Sequence, residues 1–245
     1  MTDRRSISAD TILQSHANDF EEISASSPTR LRARSVSLAY FDGDTTSFAV
    51  ENVSLDIPSR GFVGIMGPSG SGKSSLLYLL SGLKRASAGE IEIDGAPYSR
   101  LSERELTHLR RIRFGFVFQQ PFLLNYLTAR ENVLVAAPKG DRSAAQRAEE
   151  LFQSLQIANL AHRFPYHLSG GERQRVCLAR SMINNPEVIF ADEPTAALDH
   201  KNGHIVIDLL AEYRNNGTVI VVTHDPEMLA DADRVFRMRD GRLEE

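Results

Sequence analysis

The segment Gly67-Pro68-Ser69-Gly70-Ser71-Gly72-Lys73-Ser74 places three glycines, a lysine and a hydroxyl at the spacing of a phosphate-binding loop. Glycines at 67, 70 and 72 let successive backbone N–H groups point into one concavity, where they and the start of a following helix can hold a polyphosphate. Lys73 adds a mobile positive charge for the β- and γ-phosphates, and the Ser74 hydroxyl is a suitable ligand for Mg2+. At average glycine and lysine usage, a chance match somewhere in a chain of this length has a probability of roughly 1%.

Two carboxylates, Asp192 and Glu193, follow the apolar run Val188-Ile189-Phe190-Ala191. Asp192 is suited to the Mg2+ shell, and Glu193 to orienting and deprotonating an attacking water. Paired acids at a strand end are common as solvated capping; the phosphate loop upstream is what gives them a chemical reading. His224 follows the run Val219 to Thr223 and could donate to a γ-phosphate, although a lone histidine is more often structural. The stretch Leu168-Ser169-Gly170-Gly171-Glu172-Arg173-Gln174-Arg175 opens another helix, with Ser169 as a good N-cap. Its free N–H groups and dipole make a second anion site. One nucleotide carries only one γ-phosphate, so this second site is expected to serve a nucleotide held by another subunit.

These groups can cooperate only if a buried sheet brings them to one edge. Continuous apolar runs at Phe62–Met66, Phe114–Phe118, Val188–Ala191 and Val219–Thr223 suit parallel strands covered on both faces. A helix is expected over Ser74–Leu80, directly after the phosphate loop. The runs Val36–Tyr40 and Ile91–Asp94 alternate better and predict an antiparallel edge sheet. Between Gln119 and Leu168 the period is helical, as in Ala144, Ala148, Leu151, Phe152 and Leu155, so a helical insertion is expected over about 120–170. The fold class is therefore α/β, a phosphate-loop NTPase with a parallel core sheet. Residues 1–30, rich in Ser, Asp, Glu and Arg, are expected to form a mobile extension ahead of a domain spanning 31–245.

The chain has 245 residues, 42% hydrophobic, with 28 Lys+Arg against 32 Asp+Glu and a net charge of -4. A basic excess that would favour nucleic acid as the main ligand is lacking, and none is expected as a partner. The single cysteine, Cys177, cannot form an internal disulfide and fits a reducing compartment. No apolar run reaches the ~18–20 residues of a spanning helix.

With these motifs on one chain, Leu31 to Leu243 resembles the ATP-binding-cassette ATPases. The resemblance implies that ATP is the nucleotide and Mg2+ its cofactor, and that Gly67 to Ser74 together with Ser75, which stands where threonine is frequent, bind the phosphates. It implies that Ser169, Gly170 and Gly171 complete the partner's site in a head-to-tail homodimer with two sandwiched ATP molecules. Tyr40 corresponds to the aromatic that stacks on adenine, with Phe41 as the nearby substitute. Gln119 corresponds to the glutamine that touches Mg2+ and the attacking water, and Asp199, in Ala197-Leu198-Asp199, to the loop that crosses to the other subunit. Phe116-Val117-Phe118-Gln119, Leu123 to Thr128, Glu131-Asn132-Val133 and Ala191 to Thr195 are most similar to ATPases of the lipoprotein-releasing, macrolide-exporting and glycolipid-exporting group. That likeness implies an exporter or extractor subunit on the cytoplasmic face of the membrane, with a separate transmembrane permease whose cytoplasmic helix enters a groove around Leu123 to Tyr126. A soluble or regulatory ATPase uncoupled from transport is the alternative.

Two features invite other readings. His200 and His204 share a helical face at a spacing that can bind zinc, but the sequence places no third ligand nearby and Gly203 weakens the helix start, so a surface role is expected. Arg104, Arg110, Arg111 and Arg113 form a basic run diluted by Glu103 and Glu105, which reads as a solvated face.

Overall fold

In a computed structural model, which describes residues 29–43 and 45–244, the apolar runs become the strands of one sheet. The chain enters through β1 (Thr29–Asp42) and β2 (Thr45–Pro58), then β3 (Gly61–Met66), α1 (Lys73–Leu80), β4 (Ala88–Ile93) and the short β5 (Ala96–Pro97). Next come α2 (Glu103–Arg113), β6 (Phe114–Val117), α3 (Ala129–Leu134), α4 (Ala144–Ser154) and α5 (Gly170–Met182). The remainder is β7 (Val188–Asp192), α6 (His200–Glu212), β8 (Thr218–Thr223), β9 (Arg234–Arg239) and β10 (Arg242–Leu243).

The larger sheet has the order β10-β9-β3-β8-β7-β6, parallel from β9 to β6. Alternate residues of its central strands point to opposite faces. Phe62, Ile189, Ala191, Val219 and Val221 enter a core shared with α3, α4, α5 and α6. Val63, Ile65, Val188, Phe190, Ile220 and Val222 enter a second core with α1 and the antiparallel sheet β2-β1-β4-β5. Because both faces are covered, every one of these positions has to be apolar, which is why the runs are continuous in the sequence. Each large side chain so buried contributes roughly 1.5–3 kcal/mol.

The basic run does not form one solvated face. Arg113, only 12% exposed, pairs with Asp94 at the end of β4 and with Glu187 just before β7, and Arg30 of β1 bonds the same two carboxylates. Four charges thus fasten the antiparallel sheet to the parallel one, and removing Asp94, the most buried member, would leave two arginines sharing one half-exposed carboxylate. Arg110 donates to the Gly82 carbonyl, leaving Arg104 and Arg111 on the exposed side. Strand β1 begins at Thr29, so the last two residues of the expected extension are part of the sheet; residues 1–28 lie outside the described residues.

Cys177 is buried in α5, where desolvation pushes its thiol up to about 11. The thiolate is the reactive form, so at neutral pH almost none is present. Iodoacetamide is expected to leave the folded chain unlabelled and to modify Cys177 only with the unfolding kinetics, as followed by intact mass. Rapid labelling under native conditions would contradict this burial.

Candidate functional site

The loop Gly67–Gly72 joins β3 to α1, and close backbone approaches decide its residues. A Cβ on Gly72, which has φ +97°, would lie 2.0 Å from the Ala49 carbonyl oxygen, and one on Gly67 would lie 2.2 Å from that of Met238. The first contact comes from β2 and the second from β9, so the loop is set by strands distant in sequence. Ser71 Oγ is buried and has no partner among the described residues. Lys73, 6% exposed, donates from Nζ to the Pro68 carbonyl at 2.9 Å. A buried ammonium on a single carbonyl together with an orphaned hydroxyl makes a cradle that lacks anionic oxygen, which is what a polyphosphate supplies.

Parallel pairing brings the other groups to the same edge. Met66 is level with Thr223 and Asp192 with Val222, so the ends of β3, β7 and β8 lie together. Buried Asp192 accepts 2.7 Å from Ser74 Oγ and 2.8 Å from the Tyr78 hydroxyl. Burial, reinforced by the bond to Asp192, pushes the Tyr78 phenol up to about 12, so Tyr78 stays a donor at any physiological pH. A carboxylate beside a serine hydroxyl is a hard oxygen pair of the kind Mg2+ takes, and these residues fit that ion. Glu193, in the left-handed region at φ +45°, is held by its N–H on Val222 O at 2.9 Å. Its carboxylate faces His224 Nδ1, with Oε2 at 3.0 Å and Oε1 at 3.1 Å. The turn at the strand end therefore lets Asp192 face α1 while Glu193 faces β8.

Ser169 caps α5 in a capping box: its Oγ accepts from the Glu172 N–H, and its own N–H donates to Glu172 Oε2 at 2.7 Å. The bond from the Ser169 backbone holds the Glu172 carboxyl below its usual range. Asp199 caps α6 through Asn202 N at 3.0 Å, and Asn202 also lies where a Cβ on Gly171 would touch it, at 2.9 Å. The serine-glycine-glycine helix start and the Asp199 loop are thus one packed unit. Asp199, Glu193 and His224 line a shared concavity of about 250 Å³. Gln119 is exposed just after β6, and buried Gln174 of α5 holds the preceding carbonyl, Phe118 O, at 3.1 Å.

Tyr40 and Phe41 lie near the tip of the β1–β2 hairpin, 44% and 76% exposed. Lys84 bonds the Tyr40 hydroxyl and sits 4.8 Å from its ring centroid, so Tyr40 is held in place while Phe41 is the more open ring. The segment Leu123–Thr128 is stapled by fully buried Asn132, whose amide bonds Leu124 N and O, Leu127 O and Thr128 O. Within it Leu123 packs on the core and Tyr126 is exposed. A concavity of about 450 Å³ is lined by residues including Arg110, Arg111, Phe116, Phe118, Val135 and Arg180. Sequence reasoning gave no role to Tyr78 or Gln174; Tyr78 lies outside the phosphate loop, four residues after Ser74, and Gln174 lies within the stretch that opens α5, four residues after Gly170.

Comparison with known proteins agrees with this architecture. Residues 50–196, more than half of the chain, match the family model described as "ABC transporter". The ABC transporter ATP-binding protein MJ0796 of Methanocaldococcus jannaschii is 41% identical over 223 residues, 87% of this chain and 95% of that protein. Its dimeric structure, titled as a post-hydrolysis state bound to ADP and Pi, superposes with a TM-score of 0.81 at 38% identity, covering 88% of this chain and 97% of that one. The macrolide export ATP-binding/permease protein MacB of Neisseria meningitidis is 41% identical over 217 residues, 87% of this chain. The chain spans only 34% of that relative's length. With a family model over most of the cassette and a relative aligned almost end to end, the chain belongs to the ABC transporter family.

Proposed function

We propose that this chain binds and hydrolyses Mg-ATP as the energising subunit of an ABC exporter or extractor, working as an ATP-sandwich homodimer on a separate transmembrane permease. The observation that carries the reading is the meeting, at one sheet edge, of Lys73 and Ser74 from the loop after β3, Asp192 and Glu193 after β7, and His224 after β8. In this reading the N–H groups from Gly67 to Ser75 and the Lys73 ammonium bind the phosphates, and Tyr40 stacks on adenine. Ser74, Asp192 and Gln119 would hold Mg2+, which neutralises charge developing on the β- and γ-phosphate oxygens.

Glu193 accepts a proton from the attacking water as oxygen bonds to the γ-phosphorus, and the bond to the β–γ bridging oxygen breaks to give ADP and phosphate. His224 orients that carboxylate through Nδ1. Donating at the same time to a γ-phosphate through Nε2 requires both ring protons, so the bridging form is the imidazolium. Ser169, Gly170, Gly171 and Asp199 act across the dimer on the partner's nucleotide. Residues 120–170 are read as the helical insertion and 31–245 as the ATPase domain, with the protein peripheral on the cytoplasmic face. The MacB relative, of which this chain spans 34%, is named as an ATP-binding/permease protein, which supports coupling of this cassette to a membrane permease.

The test is purification of the tagged full chain from detergent-solubilised membranes, followed by a phosphate-release assay. A stoichiometric membrane protein and Mg-dependent hydrolysis are expected. Hydrolysis with no membrane companion would move the protein to the soluble or regulatory ATPases, and no hydrolysis by the chain with its companion would overturn the enzymatic reading.

A further inference from the structure

The third ligand that the sequence does not place beside His200 and His204 is supplied by the fold. Glu227 lies in the short helical turn Pro226–Leu229 after β8, and His200 Nε2 is 3.0 Å from its Oε2. His204 Nε2 is 3.1 Å from the same His200 nitrogen, and one ligand atom from each of the three residues falls within a 4.8 Å set. We infer that His200, His204 and Glu227 form a binding site for a divalent transition-metal ion of the Zn2+ class, two imidazoles from one turn of α6 and one carboxylate from the turn after β8.

Valence is the first argument. A single imidazole nitrogen offers either one hydrogen or one lone pair, yet His200 Nε2 has two close polar neighbours. A proton on it can point well at one of them only. A cation removes the conflict, because three lone pairs then converge on one centre. Distance is the second argument. Zinc bonds to imidazole nitrogen and carboxylate oxygen of about 2.0–2.2 Å at tetrahedral angles separate neighbouring ligand atoms by about 3.3 Å. The observed 3.0 and 3.1 Å need adjustments of only a few tenths of an ångström, and the remaining pair, His204 and Glu227, within 4.8 Å of each other, closes by rotation of the exposed Glu227 carboxylate.

The donor set is also prepared. Asp225 Oδ1 accepts from Glu227 N at 3.0 Å and Asp199 caps α6, so both backbones that carry ligands are fixed by side chains outside the site. Two imidazoles and one carboxylate suit Zn2+ and its late first-row neighbours over Mg2+ or Ca2+. Three protein ligands leave the fourth position to water. None of the three residues is assigned to nucleotide chemistry, so the site stands independently of the proposed function. Its ion would tie the start of α6, directly after Asp199, to the turn that follows His224.

The experiment uses the full chain, stripped with a chelator and free of nucleotide, titrated with Zn2+ in competition with a chromophoric chelator. Co2+ is added in parallel as a visible-spectrum probe of geometry. One Zn2+ per chain at micromolar affinity or tighter is expected. His204→Ala and Glu227→Gln should each weaken it by about tenfold or more, since ligand loss costs at least as much as loss of an outer-shell partner. Far-UV circular dichroism of both variants should match the parent, because Glu227 is exposed, His204 is only half-buried and neither belongs to the core. No stoichiometric binding by the parent chain, or variants that bind as the parent does, would overturn the assignment.

Discussion

Glu193→Gln is expected to bind Mg-ATP normally, hydrolyse it about 10²- to 10⁴-fold more slowly, and accumulate as a nucleotide-bound dimer. The magnitude is that of removing a positioned general base. The substitution is close to isosteric, and the backbone that places the side chain is held independently by the bond to Val222 O and by the turn at φ +45°. What changes is the charge and, with it, the basicity. An amide oxygen can still accept from His224 but cannot take a proton from water. If a second copy's Ser169 helix start completes the site, slowed hydrolysis leaves the γ-phosphate bridging two subunits. Size-exclusion chromatography in saturating Mg-ATP should then give a dimer for the variant and a monomer without nucleotide. A monomer under both conditions would sink the sandwich arrangement, and turnover near the parent rate would remove Glu193 from its role.

What could be read from the sequence divides along physical lines. The phosphate loop, the strand ends and the capped helix at Ser169 are local: each is a short run whose chemistry and conformation are set by neighbours in the chain. The parallel sheet was legible for the same reason, since burial on both faces leaves an uninterrupted apolar run in β3, β7 and β8. Contacts that join distant segments left no such mark. Nothing near Tyr78 announces that its hydroxyl bonds Asp192, and nothing near Arg113 announces a partner at Asp94 that also meets Arg30. The expectation for Arg113 failed because charge in a sequence is read as exposure, whereas an ionic cluster can bury charge when every member is paired. The histidine pair is the opposite case: the carboxylate that meets it, Glu227, is 23 residues beyond His204 and is brought there by β8. Even the glycines of the loop divide this way. Gly70 has no neighbour that a Cβ would meet, but Gly67 and Gly72 are dictated by the carbonyls of Met238 and Ala49.

Lys73→Ala separates binding from folding more sharply than any other single change. In the folded chain the ammonium is nearly buried and bonds a single carbonyl, Pro68 O. Its desolvation penalty of several kcal/mol is therefore poorly offset before a phosphate arrives. Truncation removes that penalty and leaves one carbonyl short of a donor, a loss of about 1–3 kcal/mol in the other direction. The two effects oppose each other, so the nucleotide-free melting temperature should stay near that of the parent or rise. Binding has no such compensation. Each charge-assisted hydrogen bond to phosphate contributes about 1.5–3 kcal/mol, and at about 1.4 kcal/mol per decade even one lost bond is worth a factor of roughly 10–100 in affinity. At a nucleotide concentration a hundred times its dissociation constant, the parent gains about 2.7 kcal/mol of stability, and the variant should keep only about 0.4–1.4 kcal/mol of it. Thermal melts with and without Mg-ATP measure both quantities in one experiment. A variant with a nucleotide-free midpoint at or above that of the parent and a nucleotide-induced shift reduced to about half or less is the expected result; an equal shift in variant and parent would place the phosphates away from Lys73.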